Sequence, residues 1–330
     1  MDELIGAVDV GATKTMVTVR RLPVAPWLPG TTVSTVSTPR DPGTCADVVA
    51  NSLKQLAAKQ PGTLVAAGIA SCGILGPPRV RASGVVVRSP NQGWEAVPLG
   101  PMLEERLGVP ICLEDDANSG ALGEAVLGAG RGSNPCVFVA LGTGLGTGIV
   151  INEQVFVGAH GSAGELGHIV VDPEGPECRC GHRGCVEAFA AGAGLASRVA
   201  DALPRVSFPI GLSASAIPAA LFEAAEHGQQ DARHIVDRGV EALARLFATI
   251  ASAYDPELIV VGGGLGLKQP PYVTEAVARA RAYCLEELGS TMRVVAAALG
   301  NESALAGAAV LAARSLGPRP RRVGPNPCTP

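Results

Sequence analysis

Apolar positions in this chain fall into short buried runs and longer helical stripes that alternate from end to end. Leu4–Val10 reads as a buried strand ending in a glycine turn at Gly11, and Thr15–Arg20 alternates like a strand returning beside it. Pro23, Pro26 and Pro29 punctuate a loop before the β-branched run Thr31–Thr38. Helical spacing covers Ala46–Lys59 and stops before Pro61-Gly62. Leu64–Ala70 is a further buried strand, Leu99–Leu107 a short helix, Pro110–Leu113 a strand, and Ala117–Leu127 a helix with small residues on its inner face.

The pattern then restarts. Cys136–Leu141 and Gly148–Asn152 predict a second strand–turn–strand unit around the glycine-rich stretch Gly142–Gly148. Asp231–Ala253 is long and helical, Leu258–Val261 a strand, Pro271–Glu287 a helix, and Met292–Ala296 a strand. Asn301–Ala313 closes the pattern as a helix, with Asn301 as its N-cap. Gly317–Pro330 holds five prolines and no apolar face, so a flexible tail is expected there, its Arg319, Arg321 and Arg322 being solvated charge. Strands alternating with helices imply an α/β fold, and two similar openings imply two related lobes with a cleft between them. The expected small lobe is 1–116, completed by a C-terminal helix at 301–314. The large lobe is 117–300, and the tail 316–330.

Composition narrows the function. The 330 residues are 47% hydrophobic but only 3% aromatic, so the core is built from Ala, Val and Leu. A net charge of −4, with no basic block before the terminal arginines, disfavours nucleic acid as a partner. Apolar stretches such as Leu258–Val261 and Ala306–Ala313 are far too short to span a membrane. The acidic start Met1-Asp2-Glu3 is unlike a secretory signal, and nine cysteines is an odd number, three of them within Cys178–Cys185. A soluble protein of a reducing, cytoplasmic compartment is expected.

Three stretches carry chemistry. Asp9-Val10-Gly11-Ala12-Thr13-Lys14-Thr15 has neither the spacing nor the following helix of a Walker A loop, and no GxGxxG occurs in either glycine-rich stretch. What remains is a tight turn whose small residues let backbone N–H groups approach an anion. One such turn alone is an ordinary hairpin. Here Gly142–Gly148 and Gly262-Gly263-Gly264 repeat the arrangement, each after a buried strand.

Glu114-Asp115-Asp116-Ala117-Asn118 stands where a strand gives way to a helix. Three successive acids require a raised pKa or a cationic partner for at least one of them. The group reads either as a capped helix start or as a general base facing a cleft. His168, Cys178, Cys180 and Cys185 form a soft four-ligand set suited to tetrahedral zinc, with Gly181 and Gly184 permitting the tight loop. Four protein ligands leave no open position, so this zinc would organise structure. His182 is a competing ligand, and the other cysteines read mostly as small core residues.

Taken in order, Asp9–Thr15, Pro90-Asn91-Gln92-Gly93-Trp94, Asp116-Ala117-Asn118, Gly142–Gly148 and Gly164–Glu187 resemble the ROK family of sugar kinases, over nearly the whole chain from Asp9 to Ala313. The resemblance implies the two-lobed, actin-like and ribonuclease-H-like ATPase fold. It places Asp9, Gly11, Thr13 and Lys14 on the first phosphate turn, with Asp9 near Mg²⁺. Gly142, Thr143 and Gly144 would form the second phosphate turn, and Gly262, Gly263 and Gly264 would lie by the adenosine of ATP. Asp116 becomes the catalytic base. Asn91, Asp115, Glu165, His168 and Glu187 hold the sugar, helped by backbone at Gly73, and His168 bridges zinc and sugar. The family's Asn before the catalytic Asp is Asp115 here, and its Pro-Gly near the sugar is Cys72-Gly73.

The implied activity is ATP-dependent phosphorylation of a hexose 6-hydroxyl. Asp115 favours an ammonium at C3 of the sugar, hence kanosamine (3-amino-3-deoxyglucose), with glucose close behind. N-acetylmannosamine, N-acetylglucosamine or fructose are alternative substrates within the family. A sugar-sensing regulator without turnover is the alternative of another class. The first strand begins at about residue four, so the helix-turn-helix of the family's transcriptional repressors is not expected here, and the resemblance implies a homodimer or homotetramer.

Overall fold

Two five-stranded sheets carry the chain, and they share one strand order. The computed structural model describes residues 2–24, 26–30, 33–202, 212–213 and 216–317. In chain order the first half forms β1 (Glu3–Val10), β2 (Lys14–Arg21), β3 (Ser34–Ser37), α1 (Pro42–Ala58), β4 (Thr63–Ser71), α2 (Pro78–Arg81), β5 (Val86–Ser89), β6 (Trp94–Val97), α3 (Leu99–Leu107), β7 (Ile111–Asp115) and α4 (Asp116–Leu127). The second half begins with β8 (Cys136–Leu141), β9 (Leu145–Ile151), β10 (Gln154–Val155), a 3-10 turn at Leu166–His168, α5 (Val186–Ala190), α6 (Gly192–Ala202), α7 (Ile217–Glu226) and α8 (Gln230–Tyr254). It ends with β11 (Leu258–Gly262), α9 (Gly264–Lys268), α10 (Pro270–Arg281), α11 (Glu286–Thr291), β12 (Val294–Ala296) and α12 (Ser303–Ser315).

The sheets run β3-β2-β1-β4-β7 and β10-β9-β8-β11-β12. Each opens with antiparallel strands and adds two parallel ones. This is the two-lobed, actin-like architecture expected from the sequence. Strand alternation decides the layering. Leu4, Val8 and Val10 of β1 pack with Val49 and Leu53 of α1, while Ile5 and Ala7 pack with Leu305 and Ala309 of α12. In the second sheet Val137, Val139 and Leu141 face α8, whereas Cys136 and Phe138 face Ala121 and Ala125 of α4.

The helices α4 and α12 meet between the two sheets, with almost no side chains in the way. A Cβ on Gly307 would lie 1.8 Å from the carbonyl oxygen of Ser119, and one on Gly123 would lie 2.3 Å from that of Ser303. Beside this crossing the carboxylate of Glu124, fully buried, accepts from the N–H groups of Ala129, Ala298 and Leu299 and from the Ser303 hydroxyl. A buried carboxylate so completely satisfied fixes the geometry of the seam.

Several expected boundaries move. The helix expected over Pro271–Glu287 is two helices, α10 and α11, because the chain turns at Ala282–Leu285 and Arg281 reaches across to the carbonyls of Gly289 and Met292. The strand expected from Met292 starts at Val294. Asn301 is not the cap of the closing helix: it lies inside a 3-10 turn, and Glu302 occupies the cap position with its carboxylate turned to Trp27 Nε1 and Gly30 N–H. The strand expected at Gly148–Asn152 begins three residues earlier, at Leu145, and β7 runs on through Asp115. The hairpin β5–β6 and the helices α5–α7 are additional. The run expected from Thr31 becomes β3, with residues 31–32 outside the described residues, and so is the tail from 318 onward. No helix among the described residues is long and apolar enough to cross a membrane.

Candidate active site

The parallel strands β1, β4 and β7 end together at the cleft: Val10 pairs with Ser71, and Ser71 with Asp115. Asp9, Cys72 and Asp116 are thereby gathered at the carboxyl edge of the sheet, where ligands of α/β folds bind. Asp115 caps α4, its Oδ1 accepting from the N–H of Ala117 at 3.0 Å and of Asn118 at 3.1 Å. Asp116 is then the first helical residue. Glycines of β9 let this helix start approach, since a Cβ on Gly146 would lie 2.9 Å from that of Ala117 and one on Gly148 would lie 2.6 Å from the Ala117 carbonyl.

The acids in this recess crowd one another. Burial and the neighbouring Asp116 hold the Asp115 carboxyl well above the usual carboxylate range, and burial also raises Asp116. Asp9 is pushed up to about 7 by burial and by Asp116, against the pull of Lys14. The protein packed around Glu165 raises its carboxyl, with His168 opposing and Asp116 and Glu187 adding. Cys72, which stands where the family has proline, is pushed up to about 12 by burial and Asp116. It is a partly exposed residue of the site edge rather than a core cysteine.

Glu114 resolves its charge differently. Its side chain is 8% exposed and pairs with Nη1 of Arg81, itself 10% exposed. The crowding of the three acids is eased in both ways: Glu114 has its cation, and Asp115 and Asp116 are raised. Arg81 also donates from Nη2 to the carbonyl of Gly161 at 3.0 Å, joining α2 to the loop after β10. Arg81 borders a narrow cavity, lined also by Gly73, Asp115, Asn118, Thr147 and Glu165, among others. Gly73 has φ +125°, and a Cβ there would lie 2.6 Å from the Arg88 carbonyl, so only glycine serves.

Both glycine turns are hairpin turns closed by their own backbone. Gly11 N–H donates to the Lys14 carbonyl at 3.1 Å, and Gly142 N–H to that of Gly144 at 2.9 Å. The third turn lies against the second: a Cβ on Gly142 would be 3.9 Å from the Gly264 nitrogen, and Gly263 adopts φ +80° against the Leu141 backbone. Gly192 and Ala193 donate to the carbonyls of Gly142 and Thr143, so α6 buttresses this turn.

His168, Cys178, Cys180 and Cys185 come together, their ligand atoms all within 4.8 Å of one another. His168 Nδ1 is 3.6 Å from Cys178 Sγ, and the Sγ atoms of Cys180 and Cys185 are also 3.6 Å apart. Thiolates on tetrahedral zinc at about 2.3 Å would be separated by about 3.8 Å, so the donor set fits that ion. Nδ1 is the nitrogen turned to the thiols, which leaves Nε2 for another partner. His182 is exposed, its Nδ1 3.6 Å from Cys180 Sγ, and it stands outside the four-residue group.

Of the residues expected to hold sugar, Gly73, Asp115 and Glu165 line the cavity. Asn91 is exposed on the β5–β6 turn, while His168 and Glu187 lie beside Cys178 of the cysteine loop and within electrostatic range of Glu165. Sequence reading passed over Arg81 and Thr147. Arg81 lies in a proline-flanked segment without periodicity, and Thr147 looks like one more turn residue, although its hydroxyl donates to the Gly164 carbonyl. Alternating glycines in Gly142–Gly148 were the available signal that something packs against β9.

Comparison with known proteins shows the family and the fold. The profile described as "ROK family" matches residues 5–315. A glucokinase from Thermotoga maritima is 35% identical over 243 residues, 72% of this chain and 77% of that protein. The solved ROK hexokinase from Thermus thermophilus superimposes with a TM-score of 0.80 at 30% identity, covering 95% of this chain and 99% of the other. A ROK family glucokinase from Streptomyces griseus, solved in complex with glucose and AMPPNP, gives 0.73 at 30% identity over 94% of this chain and 99% of that one. A doubled sheet, an acid at the helix start in its cleft, and a match running almost end to end make this chain a member of the ROK family.

Proposed function

We propose that this protein is an ATP-dependent kinase acting on the 6-hydroxyl of a glucose-type hexose, with kanosamine favoured and glucose close behind. The observation that carries the kinase reading is Asp116, an acid with a raised pKa at the first turn of α4, between the two glycine turns. In this reading Asp116 takes the 6-hydroxyl proton as that oxygen bonds to the γ-phosphorus and the bond to the β-phosphate oxygen breaks, releasing ADP. Asp9, Gly11, Thr13 and Lys14 with Gly142, Thr143 and Gly144 receive the phosphates of Mg-ATP. Gly262, Gly263 and Gly264 border the adenosine. Asn91, Asp115, Glu165, His168 and Glu187 hold the sugar. Zinc, when bound, supplies charge and rigidity to the loop that orients His168.

The choice of kanosamine rests on charge. Among the described residues no ion pair is made by Asp115 or Asp116, and Arg81 is engaged by Glu114. An ammonium at C3 of the sugar supplies the missing cation and its donors. Arg81 still lies within electrostatic range of Asp115, which keeps glucose competitive. The reading includes a first lobe of residues 1–116 with the 301–314 helix returning to it, supported by the packing of α12 on β1 and β4. It also includes a homodimer or homotetramer, supported by the family resemblance alone. Mixing protein, Mg-ATP and a panel of glucose, mannose, N-acetyl sugars and amino-deoxyglucoses in a coupled ADP assay tests it. ADP release independent of every sugar would overturn the kinase reading and favour a regulator or a nonspecific ATPase.

A further inference from the structure

Three buried polar atoms of the residues lining the cavity make no hydrogen bond, Arg81 Nε, Arg81 Nη1 and Asn118 Oδ1; Nη1 lies against the Glu114 carboxylate, which leaves Nε and Oδ1 without a partner. One is a donor and the other an acceptor, and both side chains line the cavity that holds Asp115 and Glu165. Their other polar ends are fixed by one carboxylate. Arg81 Nη1 pairs with Glu114, Asn118 Nδ2 donates to Glu114 Oε1 at 3.1 Å, and the Asp115 N–H donates to the same oxygen at 2.9 Å. A carboxylate takes only donors, so Glu114 determines which end of the Asn118 amide is nitrogen and leaves Oδ1 free. Nη2 of Arg81 is held by the Gly161 carbonyl, so the guanidinium is anchored from both sides of the cleft. Buried donors and acceptors are nearly always satisfied in a working state of a protein.

We propose that Arg81 and Asn118 form a subsite for one ring hydroxyl of the sugar, Arg81 Nε donating to the hydroxyl oxygen and Asn118 Oδ1 accepting its proton. This rests on the sugar-kinase reading and deepens it. A hydroxyl satisfies both atoms, an ammonium cannot accept from the guanidinium, and a deoxygenated carbon satisfies neither. In this proposal Arg81 Nε and Asn118 Oδ1 read one substituent and the Asp115 carboxyl, on the same cavity, reads another. A sugar with an amine facing Asp115 is accepted, while one with an amine facing Arg81 is rejected.

The test compares glucose with its 2-deoxy, 3-deoxy and 4-deoxy forms, using zinc-loaded wild type, Arg81→Met and Arg81→Lys, each checked for zinc content and melting temperature. For wild type, removing the hydroxyl read by this subsite should cost roughly ten- to hundredfold in kcat/KM, because both partners are then left unpaired. In Arg81→Met that same deletion should cost less than about threefold, whereas penalties at the other positions persist. Uniform loss on every sugar in both variants would make Arg81 purely architectural and overturn the proposal. Wild-type tolerance of the 2-deoxy and 4-deoxy sugars, within about threefold of glucose, would overturn it even if neither variant folds, since a retained water would then satisfy the pair. If wild type binds sugars without phosphorylating them, only the kinase reading fails and the same comparison is made in Kd. If it binds none of them, both fail.

Discussion

The carboxylate of Glu187 accepts a hydrogen bond from the backbone N–H of Leu145 at 2.9 Å, tying the helix that follows the cysteine loop to the second glycine turn. Its other oxygen lies 3.9 Å from Cys178 Sγ. One side chain thus touches the elements assigned to metal, sugar and phosphate. Glu187→Ala should raise KM for ATP as well as for sugar, each by roughly tenfold, on the scale of a lost charge-assisted hydrogen bond. A change confined to the sugar KM in steady-state kinetics would deny the link to the turn.

Asp116→Asn should fold, bind sugar and lose phosphotransfer by about 10²–10⁴, the usual contribution of a positioned base. The amide preserves size at the first position of α4 but cannot take the hydroxyl proton. Turnover within tenfold of wild type, with sugar affinity intact, would assign the base elsewhere.

Cys180→Ser should bring zinc content close to zero and lower both the melting temperature and sugar affinity, because His168 loses the anchor that orients its ring. Cys180 is the exposed member of the set, so packing changes little in the exchange. Elemental analysis decides the matter directly: native protein purified intact without zinc would refute the site.

Asp115→Asn should shift kcat/KM from kanosamine towards glucose by roughly ten- to hundredfold, the worth of about 1.5–3 kcal/mol for a charge-assisted hydrogen bond. Only one oxygen of Asp115 is occupied by its role as helix cap. An unchanged ratio would sink the charge argument while leaving the kinase reading in place.

Asp9, raised from 3.8 to about 7, gives a pH dependence of definite sign. The folded protein keeps a proton on this carboxyl that the unfolded chain has already released. The associated stability is complete below the ordinary value and is lost as pH rises through 7. Asp9→Asn should therefore raise the melting temperature of magnesium-free protein at pH 8, by a few degrees, and change it far less at pH 5. It should also reduce phosphotransfer by more than tenfold. Equal shifts at both pH values would show that Asp9 titrates normally.

The parts of this architecture that obey a short period were legible in the sequence. Leu4–Val10 and Leu99–Leu107 needed only alternation or helical spacing, and Cys178, Cys180 and Cys185 needed only their proximity. What stayed hidden depends on contacts between distant segments. Asn301 looked like a cap because Asn favours that position, yet Glu302 holds Trp27 from 275 residues away and shifts the helix start. Arg81 gave no signal, since its partners Glu114 and Gly161 come from β7 and from the loop beyond β10. The break after Arg281 follows from its reach to Gly289 and Met292, which no local propensity reports.

The shared strand order of the two sheets has a consequence for how such a protein diversifies. Each copy of the unit supplies its glycine turn from the same place, between its first two strands. Apart from Asp115 at the end of β7, the groups assigned to the sugar come from elsewhere: Gly73 and Asn91 from the connection between β4 and β7, and Glu165, His168 and Glu187 from the connection between β10 and β11. An ancestral duplication would give two anion-binding hairpins at once and leave two long connections free to vary. New acceptors could then be tried by mutation in those connections while phosphate handling was inherited unchanged.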